Sequence, residues 1–174
     1  MLSNLIPSTA AMFLAFVMST PALAASTAKA ALKEVVAAGQ KWQPDAVLTH
    51  VSTLETKPDG RARTWLYTFY SPKQKKSAIV TARDMKVDVE PDVRNTSTDP
   101  IGEFIDSDKV MEAARKHGLK AGDSAALGLT MMGQATKQPR VLWSVVVMNA
   151  ETILSWGLDS KDGSLTHKNE TKLK

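Results

Sequence analysis

The chain has 174 residues, is 43% hydrophobic and 23% charged, contains no cysteine, and carries a formal net charge of +4 at pH 7. With no thiol it can form no disulfide, no thiolate metal site and no acylated N-terminal cysteine, so an apolar core alone must hold it together. Its positive charge is scattered, in small groups at Lys73, Lys75 and Lys76, at Arg61 and Arg63, and at Lys168, Lys172 and Lys174. That pattern reads as solvated loops and a basic tail with at most weak contact to an anionic membrane surface, and no nucleic-acid recognition motif accompanies it.

The first element is an apolar run, Ala10 to Met18, followed by Ser19-Thr20-Pro21 and Ala22-Leu23-Ala24. Small residues at Ala22 and Ala24 make an A-x-A cleavage site, so residues 1–24 are expected to be a signal peptide cleaved near Ala24/Ala25, leaving a periplasmic or secreted protein. The run is shorter than the roughly 20 residues of a membrane span. No Lys or Arg precedes Lys29, which is atypical of a signal, and an uncleaved anchor is the alternative. From Ala25 onward the chain is long enough to bury about two thirds of its unfolded surface without a staple.

Helical spacing of Ala28, Ala31, Leu32, Val35, Val36 and Gly39 predicts a helix within Ala28 to Trp42, with Gly39 a candidate stop and Pro44 and Asp45 breaking the chain after it. Strands are expected at Ala46 to Thr56, Arg63 to Tyr70, Ser77 to Ala82 and Met85 to Val89, with Pro58-Asp59-Gly60 a turn. In the second of these, Trp65, Tyr67 and Phe69 share one face. Glu90 to Pro100, rich in Pro, Asp, Ser and Thr, has a linker composition.

The order then begins again. A helix is expected from Asp106 or Ser107, with Asp108 in its first turn, Arg115, Lys116 and His117 at its far end, and a stop at Gly118-Leu119. Strands follow at Ala125 to Met132, Val141 to Met148 and Glu151 to Asp159, with Leu165 to His167 a candidate fourth. A shift of 78 positions carries Trp65 onto Trp143, Glu34 onto Glu112, Asp45 onto Asp123 and Asp84 onto Asp162. Identities are few, but residue classes and element order agree without a gap, which reads as an internal duplication.

Leu158 to Leu165, "LDSKDGSL", raises the question of a ligand loop. A calcium loop needs oxygen ligands at alternating positions and a distant bidentate glutamate. Here Lys161 stands between Asp159 and Asp162, and no glutamate follows in place. Asp162-Gly163 is instead a strong hairpin signal, so the stretch reads as a turn.

A helix with alanines, antiparallel strands with an aromatic in the middle one, and this closing "L-D-x-K-x-G-x-L" resemble the PepSY and PepSY-like domains of bacterial exported proteins. "SDKVMEAARKHGL", "VLWSVVV" and "LDSKDGSL" carry the resemblance. The first half resembles the family more weakly, with Met85 where the family has glycine. The resemblance implies a non-catalytic role in the cell envelope, restraining a peptidase or binding a peptide. It implies units at 25–90 and 106–168, joined by a linker at 91–105 and followed by a basic tail at 169–174.

Few residues suggest other chemistry. His50, His117 and His167 lack metal-ligand spacing, and His117 suits a helix end. Gly122-Asp123-Ser124-Ala125-Ala126 lacks the second glycine of a nucleophile elbow and precedes a strand. The carboxylate pairs Asp106/Asp108 and Glu90/Asp92 sit in capping and linker contexts. Trp65 and Trp143 read as core. Trp42 and Trp156 have no clean counterpart and are candidates for an exposed aromatic platform, and Met131, Met132 and Met148 for an adaptable apolar surface.

The expectation is therefore an α+β protein of two similar halves, each a helix packed on a three- to four-stranded antiparallel sheet, the remaining sheet faces meeting each other or staying open. No catalytic, cofactor or metal residue is assigned. The expected function is binding or regulation with a protein or peptide partner. The alternative is a carrier of a small apolar or anionic ligand held between the two halves. An enzyme would have to work through Asp159 or Asp162.

Overall fold

The computed structural model describes residues 25–84, 86–94, 97–133 and 139–173; the expected signal peptide and Met85 lie outside them. Helix α1 spans Leu32–Trp42 and is followed by strands β1 (Val47–Thr53), β2 (Thr64–Ser71), β3 (Lys76–Arg83) and β4 (Lys86–Val93). Helix α2 spans Ser107–Lys116 and is followed by β5 (Ala126–Met132), β6 (Arg140–Met148), β7 (Thr152–Asp159) and β8 (Leu165–Lys172).

The eight strands form one antiparallel sheet in the order β4-β3-β2-β1-β5-β6-β7-β8. This corrects the expected pair of helix-on-sheet halves. The seam is the antiparallel pairing of β1 with β5, from His50 opposite Thr130 to Thr53 opposite Leu127. A strand at the rim of a four-stranded sheet leaves a row of N–H and C=O groups unpaired, and here β1 and β5 satisfy each other. Among the described residues there is thus no second sheet for either half to meet face to face.

Register fixes what each face carries. Val51 lies opposite both Tyr67 and Leu129, Leu129 opposite Trp143, and Trp143 opposite Leu158, so these side chains share one face. With Val35 of α1 and Val110, Met111 and Ala114 of α2 they form a single buried cluster. Gly39 lets α1 lie close on β2, since a Cβ there would fall 2.7 Å from the Phe69 ring. In the connection to α2, Ile101 and Phe104 are buried, and Phe104 meets Trp143 edge-on with ring centroids 5.9 Å apart.

Polar tips in this core all find acceptors. Trp65 Nε1 donates to the Ser26 carbonyl at 2.9 Å, and Trp143 Nε1 to the Ile105 carbonyl at 3.1 Å. Each tryptophan thus ties the chain entering a helix to the second strand that follows it. Tyr67 Oη donates to the Ala28 carbonyl at 2.7 Å. Burial pushes its phenol pKa up, and the charge of Asp106 adds to the shift.

Helix boundaries follow local chemistry. Before Leu32 the chain makes tight turns, with Leu32 N donating to the Lys29 carbonyl at 3.1 Å, so α1 starts later than the alanine spacing predicts. Asp106 caps α2 through Ser107 N at 2.8 Å. Its Oδ1 also accepts from Lys29 N at 2.9 Å, which ties the entrances of both helices together. At the other end Gly118 takes φ +100, and Leu119 N returns to the Ala114 carbonyl. The carbonyl of His117 accepts from Trp156 Nε1 and from Lys168 Nζ, both at 3.1 Å, so the helix terminus is closed by an indole and a cation.

Both outer strands run further than their composition suggests. β4 continues past Val89 to Val93, into residues that read as linker, and β8 extends from Leu165 to Lys172. β4 contains Pro91 and has Asp92 at φ +58, with its register slipping between Ser77 and Ile79 of β3. β8 is exposed along its whole length and carries two lysines. Such edges resist addition of a further strand.

Candidate functional site

Among the described residues no element covers the sheet face opposite the helices. Register places Leu66, Thr68 and Tyr70 of β2, Ile79 and Thr81 of β3, His50 and Ser52 of β1, Leu142 and Val146 of β6, and Ile153 of β7 there. Nine of these are half-buried, and Thr68 is buried. A stripe of aliphatic and hydroxyl side chains therefore crosses the centre of the sheet, with charged residues such as Arg83, Asp88 and Arg140 toward its margins.

At one end of this face lies a cavity of about 550 Å³. Its floor includes Leu66 and Ala62, and Leu54, 89% exposed, stands at its edge. Lys57, Arg61, Arg63 and Arg83 line it with Glu55. Three segments supply these residues: the connection after β1, the start of β2 and the end of β3. The β2–β3 hairpin brings Arg83 into place by setting Thr64 opposite it, and Arg83 Nε donates to Thr64 Oγ1 at 3.1 Å.

The wall of the cavity is a short turn held from several sides. Gly60, at φ +81, closes it, with Gly60 N donating to the Lys57 carbonyl and Lys57 N to the Arg61 carbonyl. Asp59 Oδ1 accepts from Arg61 N, the aspartate turn expected of Pro58-Asp59-Gly60. From α2, Ser107 Oγ donates to the Gly60 carbonyl and Arg115 to the Pro58 carbonyl, each at 2.7 Å. Thr56 is tied to Ala125, its N–H reaching the Ala125 carbonyl at 2.8 Å. Among the described residues the lining comes almost wholly from residues 53–83, with Ser124 alone from beyond the linker, while Ser107, Arg115 and Ala125 of the second half add support to the turn's own hydrogen bonds.

Charge around the cavity is loosely paired. Arg61 lies 3.8 Å from Asp59 and Arg63 lies 3.7 Å from Asp84, both at exposed guanidinium groups. Such contacts contribute little to stability. Asp84 itself sits at φ +48, and its Oδ1 is buried with no hydrogen bond from the described residues.

The residues singled out from sequence are placed as follows. Leu158 to Leu165 is a turn. Lys161 N donates to Asp159 Oδ1, Ser164 N to Asp162 Oδ1, and Gly163 adopts φ +75. The Ser164 N–H holds the Asp162 carboxyl below its ordinary value. Among the described residues no three His, Asp or Glu side chains cluster as metal ligands. Trp156 is only 1% exposed and lies in the core with Lys168 over its ring at 5.5 Å, which removes it from any exposed platform. Trp42 is half-buried against the core.

Met132 and Met148, 49% and 67% exposed, sit at opposite ends of the β5–β6 pair, since Met132 is opposite Arg140. They form no common surface. Asp106 is a cap, and Asp92 pairs with Lys76 at 3.1 Å. Ser124 lines the cavity, away from any histidine of the ladder. The three histidines lie apart. His50 is on the open face, His117 ends α2, and His167 packs its ring over Gly157, where a Cβ would overlap it.

Sequence reading missed the cavity. Arg61 and Arg63 stood out only as a small basic group. The signal that would have added Arg83 is the Pro72–Lys75 turn, because a tight turn there dictates which residues of the two strands lie opposite.

Among the described residues no helix is long and apolar enough to cross a membrane. Compared with known proteins, the chain matches no family model, no curated protein and no solved structure.

Proposed function

We propose that the chain is an exported, non-catalytic, PepSY-like binding or regulatory protein acting in the cell envelope. The observation that supports this most directly is the one-sided sheet: eight strands, two helices on one face, and a half-buried aliphatic stripe on the other. A broad rigid sheet presents side chains at fixed spacing, which suits recognition of a protein or peptide surface. Strand addition at the rims is the less suitable mode, because both outer strands are blunted.

The test joins capture to substitution. Tagged wild-type protein, expressed in its host, should repeatedly retain one and the same envelope protein. Ile79→Asp and Leu142→Asp, on the open face, should release it while the protein stays folded by circular dichroism, with the thermal midpoint lowered only modestly. Retention unaffected by both substitutions, or repeated failure to retain any protein, counts against the reading. N-terminal sequencing of the secreted product should begin at Ala25.

The cavity favours a second reading, a carrier of a small apolar or anionic ligand. A ligand in this cavity would lie mostly against residues 53–83, with Ser124 the contribution of the second half among the described residues. Native mass spectrometry of protein purified from its host would reveal a stoichiometric adduct.

A further inference from the structure

We infer that the cavity beside Leu54 and Leu66 is a site for a monoanionic ligand, a carboxylate joined to an apolar body, with Arg61, Arg63 and Arg83 receiving the carboxylate. The inference rests on the reading of the chain as a binding protein and specifies the chemistry of one ligand.

Three observations converge on it. The first is size. A hollow of about 550 Å³ lies within the range of small-ligand sites. It is large enough for a medium-length alkyl chain or for the last residue or two of a peptide.

The second is the apolar lining. Leu54 holds a large aliphatic side chain in water at the edge of the hollow, 89% exposed, while Leu66 and Ala62 continue the apolar surface inward. An alkyl group laid there would cover Leu54, and removing apolar surface from water is favourable in proportion to its area.

The third is charge. Lys57, Arg61, Arg63 and Arg83 stand against three carboxylates, Glu55 in the lining and Asp59 and Asp84 beside it. The lining itself is net positive, four cations to one carboxylate, which suits an anion. Neither arginine–aspartate contact is within hydrogen-bond distance, at 3.8 and 3.7 Å, and Arg83 is bonded through Nε alone among the described residues. Guanidinium groups bind carboxylates through paired N–H donors, and three of them bordering one hollow give such a ligand a choice of forks. The backbone of the turn that carries Arg61 is fixed by Ser107 and Arg115, so the ordering on binding is confined to the exposed arginine side chains.

Two sources supply this chemistry, a free fatty acid and the C-terminus of a peptide, and calorimetry with four probes separates them. Decanoate is compared with decanol, and a tripeptide ending in leucine is compared with its C-terminal amide. At least one carboxylate probe should bind the full-length processed protein, with its neutral counterpart about tenfold weaker or more, as expected for loss of a charged hydrogen bond. Decanoate binding alone names the fatty acid as source, and peptide binding alone names a chain end. Arg83→Gln should lower carboxylate affinity severalfold, toward that of the neutral probe, while leaving the neutral probe unchanged.

Circular dichroism would show whether that variant folds. Independently of it, raising salt on the wild type should weaken the carboxylate and spare the neutral probe. Equal binding of charged and neutral probes overturns the inference, as does full affinity in folded Arg83→Gln. Failure of both carboxylates, with capture of the protein partner intact, overturns this inference and leaves the broader reading standing.

Discussion

Trp143 shows how much rests on single side chains. It is fully buried, lies opposite both Leu129 and Leu158, meets Phe104 edge-on and donates to the Ile105 carbonyl. Trp143→Ala should cost about 3–5 kcal/mol from lost burial and the cavity left behind. Trp143→Phe keeps most of the contact but leaves the Ile105 carbonyl without its donor, for about 1–2 kcal/mol. Urea unfolding of the two variants measures both. His50 supplies a pH dependence. Burial on the open face between Thr68 and Thr130 lowers its pKa, and the backbone of Leu129 opposes this more weakly. The unfolded chain therefore binds the proton more readily. The resulting stability is full above the ordinary histidine pKa of about 6.5 and is lost as pH falls through the lower folded value. Thermal midpoints between pH 8 and pH 5 should fall more steeply for wild type than for His50→Gln. The core roles of Trp65 and Trp143 were legible because alternation along a strand marks a face. The burial of Trp156 was not, because that depends on Lys168 and the end of α2 arriving from elsewhere.

At the scale of elements, the turn at Gly60 is the most exacting. It holds φ +81, and an added Cβ would fall 2.5 Å from the Ser107 carbonyl oxygen and 2.7 Å from the Asp108 backbone. Gly60→Ala should therefore destabilise by about 2 kcal/mol or more, read as a shift of the urea midpoint at constant m-value. Ser107→Ala removes both an acceptor for Ala28 N and a donor to the Gly60 carbonyl, in a fully buried place, and should cost about 2–3 kcal/mol. Most elements were readable in the sequence, because period-two alternation, aspartate caps and glycine stops are local. β4 was cut short because Pro91 and acidic residues mimic a linker. They sit there because β4 is a rim strand, where an unpaired N–H position tolerates proline. The turn at Asp162-Gly163 was also readable, since its aspartates bond the N–H groups two residues on.

For the molecule as a whole, the pairing of β1 with β5 makes one sheet and one core of what reads as two units. Nothing local encodes that pairing. Residues 50–53 and 127–130 look like ordinary strands, and only the unpaired edge each would otherwise carry argues for their union. A consequence is cooperative unfolding. Hydrogen exchange of amides in β2 and in β6 should report the same opening free energy, and Ser107→Ala should lower both equally. Unequal loss would mean that the two parts open separately. The same long-range assembly hid the cavity, whose arginines are gathered by a hairpin register and whose wall is anchored by a helix more than 40 positions further along.

That anchoring bears on how the molecule comes into being. A growing polypeptide interrupted before position 107 would already own every side chain that borders the hollow except Ser124, yet it would lack the struts that give the hollow its shape. The shape of the hollow would then arrive late in synthesis, all at once, and a prematurely ended copy would lack whatever binding that shape confers.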